Sequence, residues 1–288
     1  MTNGRFFGSR PSVPFLCLPH LLEHQARRIP DAPAILAPGR APLTYYRLYQ
    51  HIEEMERRLR AMGMGRHDRI AVALPNGSEL AVAILTVAAS AACAPLNPAY
   101  GADELDRYFA DLHPRALITQ AGFDSSARSV ALSRGVRVIE LSAASYLAAG
   151  LFTVTGNQGS VPSDEPVSAS DTALLLQTSG TTARSKIVPQ RHADMCTSAY
   201  AHVAALALKE TDRCLNVLPL FHGHGLHATL VASLAAGSSV VCTPGFDDRR
   251  FSGWLTAFQP TWYSAVPAMH QAPSNSRPSS AQSRATVR

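Results

Sequence analysis

The spacing of apolar residues along the chain changes repeatedly between that of helices and that of strands. One apolar stripe, at intervals of three and four residues, is formed by Leu48, Ile52, Met55, Leu59 and Met62. This interval places the side chains on one face of a helix, and Thr44 is suited to cap its start. Short, largely apolar runs such as 69–74 and 172–176 instead predict buried strands.

Strands and helices identified in this way alternate along the chain, which is the order of an α/β fold. We expect stacked parallel-sheet layers flanked by helices. Residues 1–156 are predicted to form a first strand–helix subdomain and residues 171–271 a second. Between them, residues 157–170 are rich in Gly, Ser, Pro and Asp and predict a linker. Residues 272–288 contain no acid and no apolar period, so they predict a disordered tail.

Composition and charge disfavour several classes of protein. The net charge of +5 is spread along the 288 residues, and only 7% of them are aromatic, whereas nucleic-acid binding favours a basic stripe with aromatic platforms. The five cysteines are scattered without a CxxC motif, which argues against a disulfide framework and fits a reducing cytoplasm. The longest apolar run, 80–96, is shorter than the roughly 20 residues needed to span a bilayer, so a buried helix is expected there.

A polar loop follows the strand predicted at 172–176. It carries five Ser or Thr residues before Lys186, and a helix is predicted from about Asp194. Inward backbone N–H groups, hydroxyl donors and a mobile ammonium together suit a phosphate group. The same composition is equally typical of an ordinary polar turn. No Gly-Lys-Ser/Thr sequence occurs here, so the loop is not a Walker A motif.

The loop resembles the phosphate loop of adenylate-forming enzymes, whose usual pattern is T-S-G-T-T-G-x-P-K-G. This family comprises acyl-CoA synthetases, aryl-CoA ligases, luciferases and the adenylation domains of peptide synthetases. The matching residues are Thr178, Ser179, Gly180, Thr181, Thr182 and Lys186. The chain departs from the pattern at Ala183, Ser185 and Ile187. Since alanine does not readily adopt a positive φ, the loop must close with ordinary dihedral angles or with strain at Ala183.

The resemblance extends in order from about residue 17 to residue 271. Similar segments include Pro219-Leu220-Phe221-His222 with Gly225, which matches the family motif P-x-F-H-x-x-G. The resemblance therefore implies an incomplete N-terminal domain of the adenylate-forming fold, truncated after about residue 271. It implies ATP-dependent activation of a carboxylic acid to an acyl-adenylate, followed by transfer to a thiol such as coenzyme A.

The same resemblance implies roles for individual residues. The segment Thr178–Thr182 and Lys186 would hold the phosphates of ATP, and His222 and Gly225 would line the pocket for nucleotide and acyl group. ATP, Mg²⁺ and coenzyme A are the implied cofactors, although the chain offers no obvious acidic ligand for magnesium. The family's adenylation lysine belongs to the part beyond residue 271. The chain by itself is therefore expected to be weakly active or inactive.

Two other functions remain open on the sequence. One is a non-catalytic nucleotide-binding module. The other is a dinucleotide-binding oxidoreductase, because Gly223, Gly225 and Ala228 match G-x-G-x-x-A after a strand, with Asp247 and Asp248 at about the position of a ribose-binding acid. The turn before Gly223 is longer than that fingerprint requires, so we favour the adenylate-forming interpretation.

Three closely spaced histidines, His222, His224 and His227, raise the question of a metal site. Metal binding needs the three imidazoles to converge on one point. His224 and His227 could share a helix face, whereas His222 precedes the helix. We therefore predict no metal ligand here and interpret His224 and His227 as ordinary helical histidines.

The last predicted strand, 261–264, has the composition of a strand inside a sheet. Such strands are paired on both sides and covered on both faces. With only the polar tail after it, an unpaired edge and an uncovered patch are expected near Trp262, Tyr263, Val266 and Met269. Exposed edges of this kind promote self-association.

Overall fold

A computed structural model describes residues 14–162, 165–177 and 186–271 of the chain. Its α-helices are α1 Leu18–Arg28, α2 Tyr45–Ala61, α3 Ser78–Ser90, α4 Ala102–Leu112, α5 Ser126–Ser133, α6 His192–Leu206, α7 Ala232–Ala236, α8 Asp248–Phe258 and α9 Pro267–Gln271, and a π-helix, His224–Val231, runs into α7. Its strands are β1 Pro33–Leu36, β2 Leu43–Thr44, β3 Arg69–Ala73, β4 Ala92–Pro95, β5 Ala116–Gln120, β6 Arg137–Ser142, β7 Thr153–Thr155, β8 Thr172–Gln177, β9 Ile187–Arg191, β10 Arg213–Asn216, β11 Ser239–Cys242 and β12 Trp262–Ser264. The expected α/β class is confirmed.

The larger sheet has seven strands in the order β7-β6-β5-β3-β4-β8-β9. Its five inner strands are parallel, and β7 and β9 pair antiparallel at the two edges. Successive side chains of a strand point to opposite faces, so Ile70 and Val72 enter one hydrophobic core and Ala71 and Ala73 the other. Helices α4 and α5 cover the second of these faces.

The smaller sheet has five strands in the order β12-β10-β11-β1-β2, of which only β2 is antiparallel to its neighbour. Helix α3 lies between the two sheets, since it contacts β3, β4 and β8 of one and β11 of the other. Almost every residue of α3 is buried. Its many alanines fit this position, because small side chains let two sheets approach one helix closely.

The two sheets do not correspond to two successive segments of the chain. Strands β1 and β2 pair in the smaller sheet with β10–β12, whereas β8 and β9 complete the larger sheet. Each sheet therefore contains strands from both sides of the linker predicted at 157–170. The division of the chain into domains stays a prediction. Within that segment, Gly159 packs closely on the end of α2: its N–H donates to Ala61 O at 3.1 Å.

The strongest local signals are confirmed. The Thr44 side chain accepts a hydrogen bond from Arg47 N at 3.3 Å and caps α2, as predicted. The helix predicted from about Asp194 begins at His192, directly after strand β9, which the sequence did not indicate. Pro189 lies in β9 and disfavours a strand, but an edge strand tolerates a residue without an N–H.

The end of the described chain differs in part from the expectation. Among the described residues, β12 pairs with β10 alone and lies at the edge of its sheet. Trp262 is buried, however, and Tyr263 and Met269 are partly covered by the α8 side of the core, where Tyr263 contacts Phe251. Only Val266, 47% exposed, is open to solvent as expected. The tail predicted at 272–288 lies outside the described residues.

None of the helices within the described ranges is long and apolar enough to cross a membrane. The apolar run that suggested a buried helix forms α3 and β4.

Candidate functional site

The predicted phosphate loop joins the two strands of a hairpin. Its residues Thr178, Ser179, Gly180, Thr181 and Thr182 lie outside the described residues. The hairpin itself is described, with Gln177 of β8 paired to Ile187 of β9. Because β8 is parallel to β4, the loop leaves at the carboxyl edge of the larger sheet, where ligands bind in open α/β sheets. Lys186, exposed, stands at that edge immediately before β9.

The Pro-Leu-Phe-His segment forms a turn between β10 and the π-helix, which we call the 219–222 turn. The Asn216 side-chain oxygen accepts from Leu218 N at 3.0 Å and guides the chain into this turn. His222 N donates to Pro219 O at 3.3 Å and closes it. The His222 ring is exposed and packs edge-on against Phe221, with ring centroids 4.7 Å apart. His222 is therefore available to a ligand at the carboxyl end of β10.

Gly225 is required by the close approach of the π-helix to the 219–222 turn. A Cβ atom at this position would lie 2.5 Å from Pro219 O and 3.1 Å from the Leu218 side chain. Thr229 Oγ1 in turn donates to Gly225 O inside the π-helix. π-Helical segments are rare and frequently occur at functional sites. The structure thus places Gly225 behind the turn as a packing residue that sets where His222 lies.

The other two histidines of the cluster bond to different strands. His224 Nε2 lies 2.8 Å from Ser264 Oγ at the end of β12. His227 Nε2 lies 2.6 Å from Gln190 Oε1 on β9. Burial lowers the pKa of His227 to about 4, so its ring is neutral near pH 7 and Nε2 donates to the glutamine oxygen.

The three rings therefore have separate partners. In the described part of the chain, no three His, Cys, Asp or Glu side chains are grouped so that they could hold a metal ion.

The 219–222 turn lies directly against the strand that leads into the phosphate loop. A Cβ atom on Gly223 would meet Leu176 Cδ1 of β8 at 3.4 Å and His227 Cδ2 at 3.6 Å. Together with the His227–Gln190 hydrogen bond, this contact joins the π-helix to both strands of the hairpin. The structure thus brings the loop's two flanking strands and the His222 segment to one place.

Sequence reasoning missed one residue of this region. Asn76 stands in the turn between β3 and α3, and its amide reaches across to the smaller sheet. The sequence Pro75-Asn76-Gly77 indicated only a turn, which is the commonest role of these residue types. Nothing in the local pattern signals a partner more than 140 residues away.

The residues of the dinucleotide interpretation have structural roles instead. Asp247 caps α8, since its side chain accepts from Arg249 N at 3.0 Å and Arg250 N at 3.2 Å. Gly225 faces the protein's own backbone at Pro219 and not an open cleft. The features that suggested a ribose-binding acid and a pyrophosphate turn are thereby explained by capping and packing.

A parallel α/β fold with a hairpin and an exposed histidine at its strand ends is an arrangement that nucleotide-binding proteins commonly have. The chain belongs to the AMP-binding enzyme family, whose model matches residues 22–287. The family resemblance seen in the sequence is therefore confirmed.

The proteins of similar sequence include several CoA ligases. The chain is 34% identical to a probable CoA ligase of Humulus lupulus, over 89% of this chain and 50% of that protein. It is 35% identical to an oxalate–CoA ligase of Arabidopsis thaliana, over 87% of this chain and 50% of that protein. The chain thus spans about half the length of these curated relatives.

Solved structures share the fold. ATP-bound MatB from Rhodopseudomonas palustris superimposes with a TM-score of 0.72 at 23% identity, over 88% of this chain and 50% of that one. The o-succinylbenzoate coenzyme A synthetase of Bacillus subtilis in complex with AMP gives a TM-score of 0.73 at 23% identity, over 89% and 50%. The expected fold, the first part of an adenylate-forming enzyme, is confirmed.

Proposed function

We propose that this chain forms the nucleotide- and acid-binding part of an ATP-dependent, AMP-forming acid–CoA ligase. In this reaction a carboxylate oxygen attacks the α-phosphorus of ATP, and the bond to the β-phosphate breaks with release of pyrophosphate. The thiol of coenzyme A then attacks the acyl carbon, forming a thioester and releasing AMP. The observation that supports this function best is the junction of the hairpin with the 219–222 turn through Leu176, Gly223 and the His227–Gln190 hydrogen bond.

The residues of the chain fit the phosphate groups of ATP. Lys186 stands exposed at the carboxyl edge of the sheet, and we assign it and residues 178–182 to the β- and γ-phosphates. Phosphoryl transfer depends mainly on positioning and on compensating negative charge, which an ammonium and hydroxyl donors supply. We propose that Mg²⁺ accompanies ATP and is coordinated chiefly by phosphate oxygens and water, as is common for this ion.

We propose a small polar acid as the substrate. His224 Nε2, at the start of the π-helix that follows His222, lies 2.8 Å from Ser264 Oγ at the end of β12, so polar side chains adjoin this segment. The similar proteins include oxalate–CoA ligases of Arabidopsis thaliana and Saccharomyces cerevisiae as well as feruloyl-CoA synthase of Amycolatopsis sp. We therefore propose oxalate or an acid of similar size as the substrate, and ferulate as the comparison that tests it.

We propose that the enzyme works in the cytoplasm. All five cysteines are free thiols and all are buried. Burial raises the pKa of Cys17 to about 11 and the pKa of Cys242 to about 12, so both thiols stay protonated and unreactive near pH 7. Buried protonated thiols suit a reducing compartment.

Replacing Lys186 tests the phosphate assignment. We expect Lys186→Ala to weaken ATP binding by roughly tenfold or more, because charge-assisted hydrogen bonds to phosphate are among the strong ones. The fold should remain intact, since an exposed side chain contributes little to stability. The only other lysine of the chain, Lys209, is also exposed, so Lys209→Ala is a matched control. Calorimetric titration with ATP measures both, and equal affinity in the two folded variants contradicts the assignment.

We further propose that the chain associates with itself through the edge of β12. In the described part of the chain this strand is paired on one side only, and Val266 is exposed beside it. Unpaired strand edges template further pairing. Light scattering over a range of concentrations is expected to show oligomers, and Val266→Lys is expected to reduce them. A monodisperse monomer at all concentrations would reject the proposal.

A further inference from the structure

Asn76 connects the two sheets at the point where the 219–222 turn begins. It lies in the short turn that follows β3 of the larger sheet. Its side-chain nitrogen donates to Thr243 O at 2.9 Å and to Leu218 O at 3.4 Å. Its side-chain oxygen accepts from Leu220 N at 2.9 Å. All three partners belong to the chain segments that leave β10 and β11 of the smaller sheet.

The hydrogen bonds of the 219–222 turn make it dependent on this contact. Leu218 N is held by the Asn216 side chain at 3.0 Å and His222 N by Pro219 O at 3.3 Å. Between them, Leu220 N donates to the side-chain oxygen of Asn76 at 2.9 Å. The central amide of the turn is thus fixed by a residue of the β3–α3 turn, at the end of a strand of the larger sheet.

The chemistry of the contact selects an amide side chain. The site presents two carbonyl oxygens, Leu218 O and Thr243 O, and one N–H group, that of Leu220. Only a side chain with an NH₂ group and a carbonyl oxygen satisfies all three at once. An aspartate has the same shape but would direct an oxygen at the two carbonyl oxygens.

We propose that Asn76 is a positioning residue that fixes the 219–222 turn and thereby the place of His222 next to the phosphate-loop hairpin. It acts through the turn and does not itself need to touch a ligand. Its effect on ligand binding rests on the function proposed above, whereas its effect on the turn does not.

The experiment compares Asn76→Ala and Asn76→Asp with Gln25→Ala in the 288-residue chain. Gln25 is a matched control because it is also an amide joining distant segments: its nitrogen donates to Ala235 O at 3.0 Å and Leu234 O at 3.2 Å. Circular dichroism establishes folding. Amide hydrogen exchange reports on residues 218–223, the His222 ring resonance reports on its surroundings, and titration measures ATP affinity.

In both Asn76 variants, the backbone amides within residues 218–223 are expected to exchange at least tenfold faster than in the unaltered chain. The His222 ring resonance is expected to shift as well. Gln25→Ala is expected to leave these exchange rates and the His222 resonance unchanged, although this variant is less stable than the unaltered chain. Equal exchange and resonances in all three variants would overturn the proposal. So would unfolding of both Asn76 variants while Gln25→Ala remains folded, because Asn76 would then support the whole fold and not the turn.

The outcome separates this proposal from the proposed function. If the unaltered chain binds no ATP, the proposed function fails, and the exchange and resonance measurements still decide the role of Asn76. If ATP binds and the Asn76 variants weaken it while changing the turn, both proposals are supported.

Discussion

The purified 288-residue chain is expected to release no pyrophosphate above background when it is supplied with ATP, Mg²⁺ and a carboxylic acid. It spans about half the length of the CoA ligases it resembles. By that resemblance, the adenylation lysine belongs to the other half. Loss of such positioning lowers rates by orders of magnitude, because effective molarities of correctly placed groups reach roughly 10⁵–10⁸ M. A coupled pyrophosphate assay with oxalate and ferulate measures the rate.

The control for this assay is a full-length relative, such as the oxalate–CoA ligase of Arabidopsis thaliana, under the same conditions with oxalate. Sustained pyrophosphate release by the 288-residue chain with any acid would contradict the expectation. A separate ATP titration of the unaltered chain distinguishes the two remaining cases. ATP binding without turnover fits the nucleotide-binding part of a ligase, and it fits a non-catalytic nucleotide-binding module equally well. Absence of ATP binding argues against both.

Acidification from pH 6.5 to pH 4 is expected to remove much of the stability of the fold. His51, His192 and His227 are buried, and burial lowers the pKa of each to about 4. An unfolded histidine titrates near pH 6.5. Between these two values the unfolded chain binds protons that the folded chain does not, so the free energy of unfolding falls as the pH falls.

The environments of these rings explain the size of the effect. His192 Nδ1 accepts from Leu18 N at 3.3 Å, so its proton is on Nε2 and a second proton would break this hydrogen bond. His51 packs edge-on against Phe152 at 4.7 Å. Between pH 6.5 and pH 4, each histidine lowers the free energy of unfolding by up to about 3 kcal/mol. The three together are comparable to the total stability of many domains.

Urea unfolding at pH 7 and at pH 5 measures this loss. We expect a markedly lower midpoint at pH 5, and a weaker pH dependence in His51→Gln, which no longer titrates. The matched control is His113→Asn at an exposed position with a left-handed backbone conformation that asparagine tolerates. A midpoint independent of pH between 7 and 5 would show that the buried rings titrate normally.

Elements with a local signal could be predicted from the sequence. The apolar stripe and the Thr44 cap specified α2 within a few residues, and the apolar run 172–176 specified β8. Strand β9 was missed because Pro189 contradicts strand propensity, and only its position at an edge makes it acceptable. The local sequence pattern does not show whether a strand will lie at the edge of a sheet.

Features that depend on distant partners could not be predicted. The sequence identified His222 and Gly225 as candidate site residues through a motif, but it could not show that Gly225 packs on Pro219 O. It also gave no indication that Asn76 bonds to the smaller sheet or that His227 bonds to Gln190. Such contacts arise from the arrangement of the sheets, which no window of the sequence contains.

The interleaving of the strands has a consequence for the order in which the protein folds during its synthesis. In the smaller sheet β1 is held between β2 and β11, with Ile35 paired to Val240. At the usual rate of about 5–20 residues per second, the ribosome needs roughly 10–40 s to pass from one to the other. Throughout this interval the apolar residues of β1 have no strand on their β11 side. All strands of the larger sheet, the last of which is β9 ending at Arg191, are synthesised before the smaller sheet can form.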